Sequence, residues 1–426
     1  MEEIILENIE KKENIIKYSF SISDGYKEFF TDEPFVIEYP KNIEDVPYSI
    51  AAIPFVANVI PIIWLTNGTL HIKKLDKDFY DCLDEVKKGY ETMFPESTFT
   101  GKVIVDNIIP CDSTTDGSVV FFSGGLDAVQ TLVSHINEKP RLLAIWGADI
   151  RYDNTDGWEI VRRSIEGSAH NFDLSVDIIR SSFREFDNEA ALNNRFFKQL
   201  KDNWWHGVKH GIALLGHAAP YAYIYGLSTV YIASTNCPAD GPVRCASNPL
   251  TDNHVRYNGA KVIHDGFEYS RQDKVRNVVD YVKKTGTKIP LRVCWETQAG
   301  TNCCKCEKCY RTMAGLLAEG ANPIDYGFKE STDTLPFMHF YIVGQYSQSS
   351  VIKDYWPHIR ERVIEKKALL VNTPSWKFLK WIEKSDFNHP ETLKLPLNFR
   401  IRNKLSHFKF YNTLHKIKYK LKNNKF

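Results

Sequence analysis

Two groups of residues in this 426-residue chain have types and spacings that could do chemistry. The first is Ser123-Gly124-Gly125-Leu126-Asp127-Ala128, directly after an apolar run and directly before an amphipathic one. Paired glycines let a backbone turn tightly and approach a ligand, and the N–H groups of loop and helix N-terminus then converge on an anion. Ser123 adds a hydroxyl donor, and Asp127 is a carboxylate able to hold the magnesium that accompanies a nucleotide phosphate. The plain alternative is a strand-to-helix turn with no ligand. The second group is Cys294, Cys303, Cys306 and Cys309, in which two C-x-x-C steps share Cys306 and Cys294 stands nine positions before Cys303. Four thiolates suit a closed tetrahedral zinc site, leaving no open position for water and therefore a structural metal. Iron–sulfur ligation uses the same residue type and stays open. Cys304 is the odd cysteine and is expected to point away.

Other polar sets lie between these two. Ser234-Thr235 follows an apolar strand, where a parallel sheet presents ligand-binding loops. Arg271 and Lys274 stand at the start of a helix and suit a phosphate or a carboxylate, or a solvated helix face. His206, His210 and His217 share one face of an expected long helix, either lining a pocket or sitting in the core.

The elements that must position these groups are an alternation of strands and helices. Val119–Phe122, Leu142–Trp146, Val176–Ile179 and Val230–Ala233 predict strands, and Ala128–Asn137 and Gly157–Ala169 predict helices. One long helix is expected over Asn194–Tyr225, and a strand over Leu291–Cys294 brings in the fourth thiolate. This is the pattern of a parallel α/β sheet covered on both faces. Before it, Phe35–Tyr39 and Thr69–Leu75 predict strands and Asp76–Phe94 an amphipathic helix. After it, Asp354–Leu370 and Ser375–Ser385 predict helices. The reading is three regions: 1–115, an α+β region of unassigned role; 116–325, the α/β domain with the cysteine element; and 326–426, a helical extension ending in a basic tail.

Composition sets limits. The chain has 54 Lys and Arg against 53 Asp and Glu, but Arg400 to Phe426 carries nine of the bases and no acid. The rest is net acidic, which argues against nucleic acid as a partner. The tail has Phe410, Leu414, Ile417 and Leu421 on one helical stripe, so it either docks as a terminal helix or touches an anionic membrane surface. Ile50–Leu65 is too short to span a bilayer and is expected to be buried core. The N-terminus lacks the basic and apolar segments of a signal peptide, and nine cysteines without an export signal point to metal rather than disulfides in a cytoplasmic protein.

The loop Ser123–Ala128 resembles the SGGxDS signature of the PP-loop N-type ATP pyrophosphatases, with Ala128 where the family has serine. The cysteine spacing is similar to the zinc site of the 7-cyano-7-deazaguanine synthases within that family. The resemblance covers about residues 117–320. It implies an adenine nucleotide alpha hydrolase-like fold, ATP with magnesium, structural zinc, and a ligase that adenylates a substrate carboxylate or amide oxygen, forming AMP and pyrophosphate. It places Ser123 to Ala128 on the pyrophosphate, Ser123 and Asp127 in catalysis, and Trp146 and Asp149 near adenine and ribose; Ser234, Thr235, Arg271 and Lys274, read from their positions after a strand and at a helix start, are expected to join the nucleotide site. Activation of a cell-wall or polysaccharide precursor, as in a muramoyl-peptide glutamate epimerase or a sugar amidotransferase, stays an alternative. So does a scaffold that binds ATP without turnover, which the missing hydroxyl at Ala128 suggests. The partner is a small carboxylate or amide substrate, with a second copy of the chain as a further candidate.

Overall fold

The structure is a computed structural model that describes residues 2–294, 296, 300–329 and 350–393. The basic tail, with Phe410, Leu414, Ile417 and Leu421, lies outside the described residues. The strands are β1 Glu3–Lys12, β2 Ile15–Ile22, β3 Val36–Glu38, β4 Thr69–Asp76, β5 Lys102–Ile109, β6 Gly117–Phe121, β7 Arg141–Trp146, β8 Val176–Ser181, β9 Leu227–Ala233, β10 Arg256–Tyr257 and β11 Ala260–Asp265. The main helices are α1 Ile53–Thr66, α2 Lys77–Met93, α3 Leu126–His135, α4 Thr155–His170, α5 Glu189–Leu200, α6 His210–Tyr225, α7 Arg271–Thr285, α8 Glu307–Ala318, α9 Ser350–Glu365 and α10 Trp376–Lys384.

Among the described residues these eleven strands form one sheet in the order β10-β11-β9-β6-β7-β8-β3-β2-β1-β4-β5. From β11 to β8 neighbouring strands are parallel. Their interiors are continuous apolar runs, such as Leu142-Leu143-Ala144, as expected of strands covered on both faces. β3 joins β8 antiparallel through Ile37 opposite Ser181 and Glu38 opposite Arg180, and so extends the sheet into the N-terminal strands. At the far edge β5 alternates exposed and half-buried residues and carries Lys102 and Asp106, which suits an unpaired edge.

Among the described residues, 2–303 with Asp325–Gly327 form one compact unit, and Cys304–Ile324 with the described residues from Phe328 onward form the other. In the second unit α8 packs on α9, where Trp356 donates from Nε1 to Glu307 at 3.1 Å and the buried Glu319 carboxylate accepts from Arg362 and Lys366.

α1 is buried at every position from Ile53 to Trp64, as its apolar content requires. Its polar residue Asn58 is satisfied by donating to the Pro54 carbonyl at 2.8 Å. α1 packs on α6, where Gly216 meets the methyl of Ala57; a Cβ on Gly216 would lie 2.4 Å from it. The long helix expected over Asn194–Tyr225 is in fact two. α5 ends at Lys201, which takes a left-handed φ of 54°, and a π turn at Trp205–Lys209 leads into α6. The apolar pattern runs through the break because Leu200 and Trp204 are buried on either side of Lys201. Lys209 anchors the turn: fully buried, it donates to Asp187 Oδ2 at 2.6 Å and to the Phe183 carbonyl at 2.5 Å.

His217 sits inside α6 with no exposed surface. Its Nδ1 donates to the Ala213 carbonyl at 2.6 Å, so its Nε2 accepts from Ser181 Oγ at 2.8 Å. Burial pushes its pKa down to about 4. The unfolded chain takes up this proton from about pH 6.5 downward and the folded chain does not, so stability present at neutral pH is lost as the pH falls toward 4. The loss expected from this residue is about 3 kcal/mol. Urea unfolding at pH 7.5 and pH 4.5 checks it: the drop should be smaller by about that amount in His217→Gln, and equal drops in the two proteins would contradict it.

Candidate functional site

β6 and β9 are neighbours in the sheet, but their connections leave in opposite directions. β6 leads through α3 to β7 on one side, and β9 leads to β11 on the other. Such a reversal opens a crevice beyond the carboxyl ends of the two strands, where α/β sheets bind ligands. The loop Ser123–Ala128 follows β6 at this point, and Ser234-Thr235 follows β9.

The loop is shaped by its glycines. Gly124 has a φ of +73°, a left-handed conformation that disfavours any side chain. Gly125 is the extended cap of α3, and its N–H donates to Ser123 Oγ at 3.3 Å. Ser123 itself is exposed. Arg292 clasps the loop from outside: its N–H donates to the Gly124 carbonyl at 2.8 Å and its Nε to the Ser123 carbonyl at 3.2 Å. Its guanidinium also lies 3.4 Å from Asp149 Oδ2, which brings the end of β7 to the same place. Arg292 escaped the sequence reading because it lies 169 positions from Ser123, with no periodic pattern to mark it.

Asp127, in the first turn of α3, meets two cations from the start of α7. Arg271 donates from one guanidinium nitrogen to both carboxylate oxygens, at 2.8 and 3.1 Å, and Lys274 Nζ lies 3.8 Å away. Lys274 also donates to the Ser234 carbonyl at 2.5 Å, tying α7 to the end of β9. Both cations are buried, and burial pushes the Lys274 amine down while Asp127 opposes the shift. Ser270 caps α7 and exchanges hydrogen bonds with Asp273, fixing the turn that presents them. Ser123, Asp127, Ser234, Arg271 and Lys274 thus come together, with Arg292 and Asp149 at the rim. Asp127 as it stands is a counter-ion: its oxygens are engaged by cations, and this arrangement does not suit magnesium.

Thr235 is exposed beyond Ser234. Trp146, at the end of β7, stacks on Trp158 with centroids 5.2 Å apart and has the Arg180 guanidinium 4.2 Å over its ring. Its Nε1 donates to the Arg151 carbonyl, so Trp146 is engaged within the protein. Leu126 and Ala128 belong to the buried side of α3, and Ala128 is only 6 % exposed.

The sulfur atoms of Cys294, Cys303, Cys306 and Cys309 all lie within 4.8 Å of one another, and this group could hold a metal ion such as zinc. Cys304 lies outside the group; its left-handed φ of 55° turns the chain between Cys303 and Cys306. The strand expected over Leu291–Cys294 is absent. The segment is held by the Asn302 side chain, which accepts from Val293 N–H at 2.9 Å and Cys294 N–H at 3.3 Å and donates to the Leu291 carbonyl at 2.8 Å. Cys306 caps α8 and Cys309 lies in its first turn, where the helix dipole favours thiolates.

The three histidines do not form one set. His217 is in the core, whereas His206 and His210 stand at the π turn. Among the described residues no helix is long and apolar enough to cross a membrane. Compared with known proteins, the chain matches no family model, no curated protein and no solved structure.

Proposed function

We propose that the chain is an ATP pyrophosphatase of the PP-loop type, an enzyme that activates a substrate carboxylate or amide oxygen as its adenylate and releases pyrophosphate. The observation that carries this reading is the Gly-Gly loop at the β6–β9 crevice, facing Arg271 and Lys274. In the reaction the substrate oxygen attacks the α-phosphorus of ATP, the bond to the β-phosphate oxygen breaks, and charge develops on the departing pyrophosphate. The loop N–H groups, the Ser123 hydroxyl and the two cations would stabilise that charge, and no protein nucleophile is required. Asp127 acts here as a positioning residue that holds both cations until phosphate oxygens take its place. The four cysteines would hold a structural zinc away from the chemistry.

A second reading, binding of ATP without turnover, is favoured by the buried methyl of Ala128. One experiment separates the two. Calorimetric titration of ATP and of pyrophosphate should show binding of both, and AMP with pyrophosphate should appear when carboxylate or amide candidates are added. Binding with no AMP across the candidates would favour the scaffold, and no binding of either ligand would remove the ATP assignment. Ala128→Ser should tighten ATP binding roughly tenfold, because a hydroxyl to a charged acceptor contributes about 1.5 kcal/mol or more. Equal affinities of the two proteins would mean that position 128 points away from the phosphates.

A further inference from the structure

β5 is the last strand of the sheet, and its outer edge has no neighbouring strand. None of its eight residues is buried, although five of them are Val or Ile, and Ile104 and Ile108 are 40 % and 41 % exposed. An open apolar edge of this length is a template for a further strand. Its parallel partner β4 fixes which backbone groups face outward. Lys102 N–H turns toward β4 and donates to the Gly68 carbonyl at 3.1 Å. Backbone direction alternates along a strand, so Val103, Val105 and Asn107 turn their N–H and C=O groups to the open side. Among the described residues these groups have no hydrogen-bond partner.

A second copy of the chain can add to this edge antiparallel, about a two-fold axis. Alternation limits the registers, because outward-bonding residues must face one another. With the axis at Val103 or Val105 a charged residue faces Ile104, and with the axis at Asn107 one faces Ile108. With the axis at Asp106 two carboxylates meet. With the axis at Ile104, Lys102 of each copy faces Asp106 of the other, Ile104 faces Ile104, and Val103 and Val105 exchange backbone hydrogen bonds. The charged pairs and the isoleucine pair then occupy non-hydrogen-bonded positions, where Cα atoms approach to about 4.5 Å and side chains are closest. Lys102 and Asp106 are both exposed, and among the described residues neither belongs to an ion pair. Lys73, beside Asp106 on β4, donates instead to the Glu7 carbonyl at 2.7 Å.

We infer that β5 is a dimerisation edge, which joins a second copy of the chain antiparallel about a two-fold axis at Ile104 into one continuous sheet. The charges that suit β5 to stand alone also select this partner, since in any other register they meet apolar or like-charged neighbours. A single strand edge makes a small interface, so the dimer is reversible.

The test needs no nucleotide and stands whether or not the protein uses ATP. Sedimentation of the full-length protein over a concentration series should show a monomer–dimer equilibrium. Asp106→Lys and Lys102→Asp each set like charges opposite one another on both sides of the axis, and each should weaken dimerisation at least about tenfold. The double variant Lys102→Asp with Asp106→Lys should restore it, because the pairs are rebuilt with their signs exchanged. Val105→Pro removes an outward N–H without touching the ladder to β4, and should give a monomer that melts close to the wild type. The exposed charge variants decide the register whether or not proline is tolerated. A wild type that stays monomeric up to about 0.1 mM would overturn the assignment. So would a dimer that folded Val105→Pro leaves intact, single reversals without effect, or a double variant that fails to restore the dimer.

Discussion

Replacing Asp127 by alanine is expected to destabilise the protein by about 3 to 5 kcal/mol and to make much of that loss recoverable with pyrophosphate. Arg271 and Lys274 have side chains 5 % and 0 % exposed, and Asp127 is the carboxylate placed against both. Removing it leaves two buried cations without that counter-charge, the arrangement in which a broken ion pair costs most. An anion binding there restores the balance and stabilises the fold by mass action, about 2.7 kcal/mol at a hundred times its dissociation constant. Urea unfolding of wild type, Asp127→Ala and Asp127→Asn, with and without pyrophosphate, measures both effects. The variants should gain more from pyrophosphate than the wild type does, because the anion no longer competes with Asp127. If the variants are as stable as the wild type, or gain nothing from the anion, the crevice is not a phosphate site. If pyrophosphate binding stays as it was and only magnesium-dependent AMP formation is lost, Asp127 is a magnesium ligand and its contact with Arg271 is secondary.

The parallel half of the sheet was legible because each strand is a short apolar run followed by an amphipathic helix. Arg141–Trp146 and Thr155–His170 lie within two residues of where the pattern puts them. The Ser123 loop was legible for the same reason, since its glycines sit between a strand and a helix whose types are unambiguous. The joining of the N-terminal strands to that sheet was not. It depends on β3, three residues long, pairing with a strand that begins 138 positions after β3 ends, and a pairing that short and distant leaves no local signal. The break at Lys201 was hidden because hydrophobic periodicity records burial, and burial continues across the turn.

The chemistry shows the same division. Residue type and spacing along the chain found the four cysteines, but not Asn302, which holds the approach to Cys294 through three short-range hydrogen bonds. Charge at a helix start found Arg271 and Lys274, while their pairing with Asp127 needed the packing of α3 against α7.

Removing the metal from the cysteine group is expected to have the other large effect. In small thiolate sites the apparent binding free energy of zinc is about 10 to 16 kcal/mol, and much of it is folding free energy. Here the four ligands draw together the segment that ends at Cys294, a left-handed turn at Cys304 and the first turn of α8. Without metal, the left-handed residue alone costs about 1 to 2 kcal/mol. Cys309→Ser should therefore lose the bound metal and melt well below the wild type, and a chelator should lower the wild-type transition toward that of the variant while leaving the variant unchanged. Cys304→Ser is the control: its sulfur is outside the group, so the metal content should stay at one ion per chain. Elemental analysis and thermal unfolding read both quantities. A visible iron chromophore would replace zinc by an iron–sulfur centre, and metal lost without a change in melting temperature would mean that the four sulfurs hold together without it.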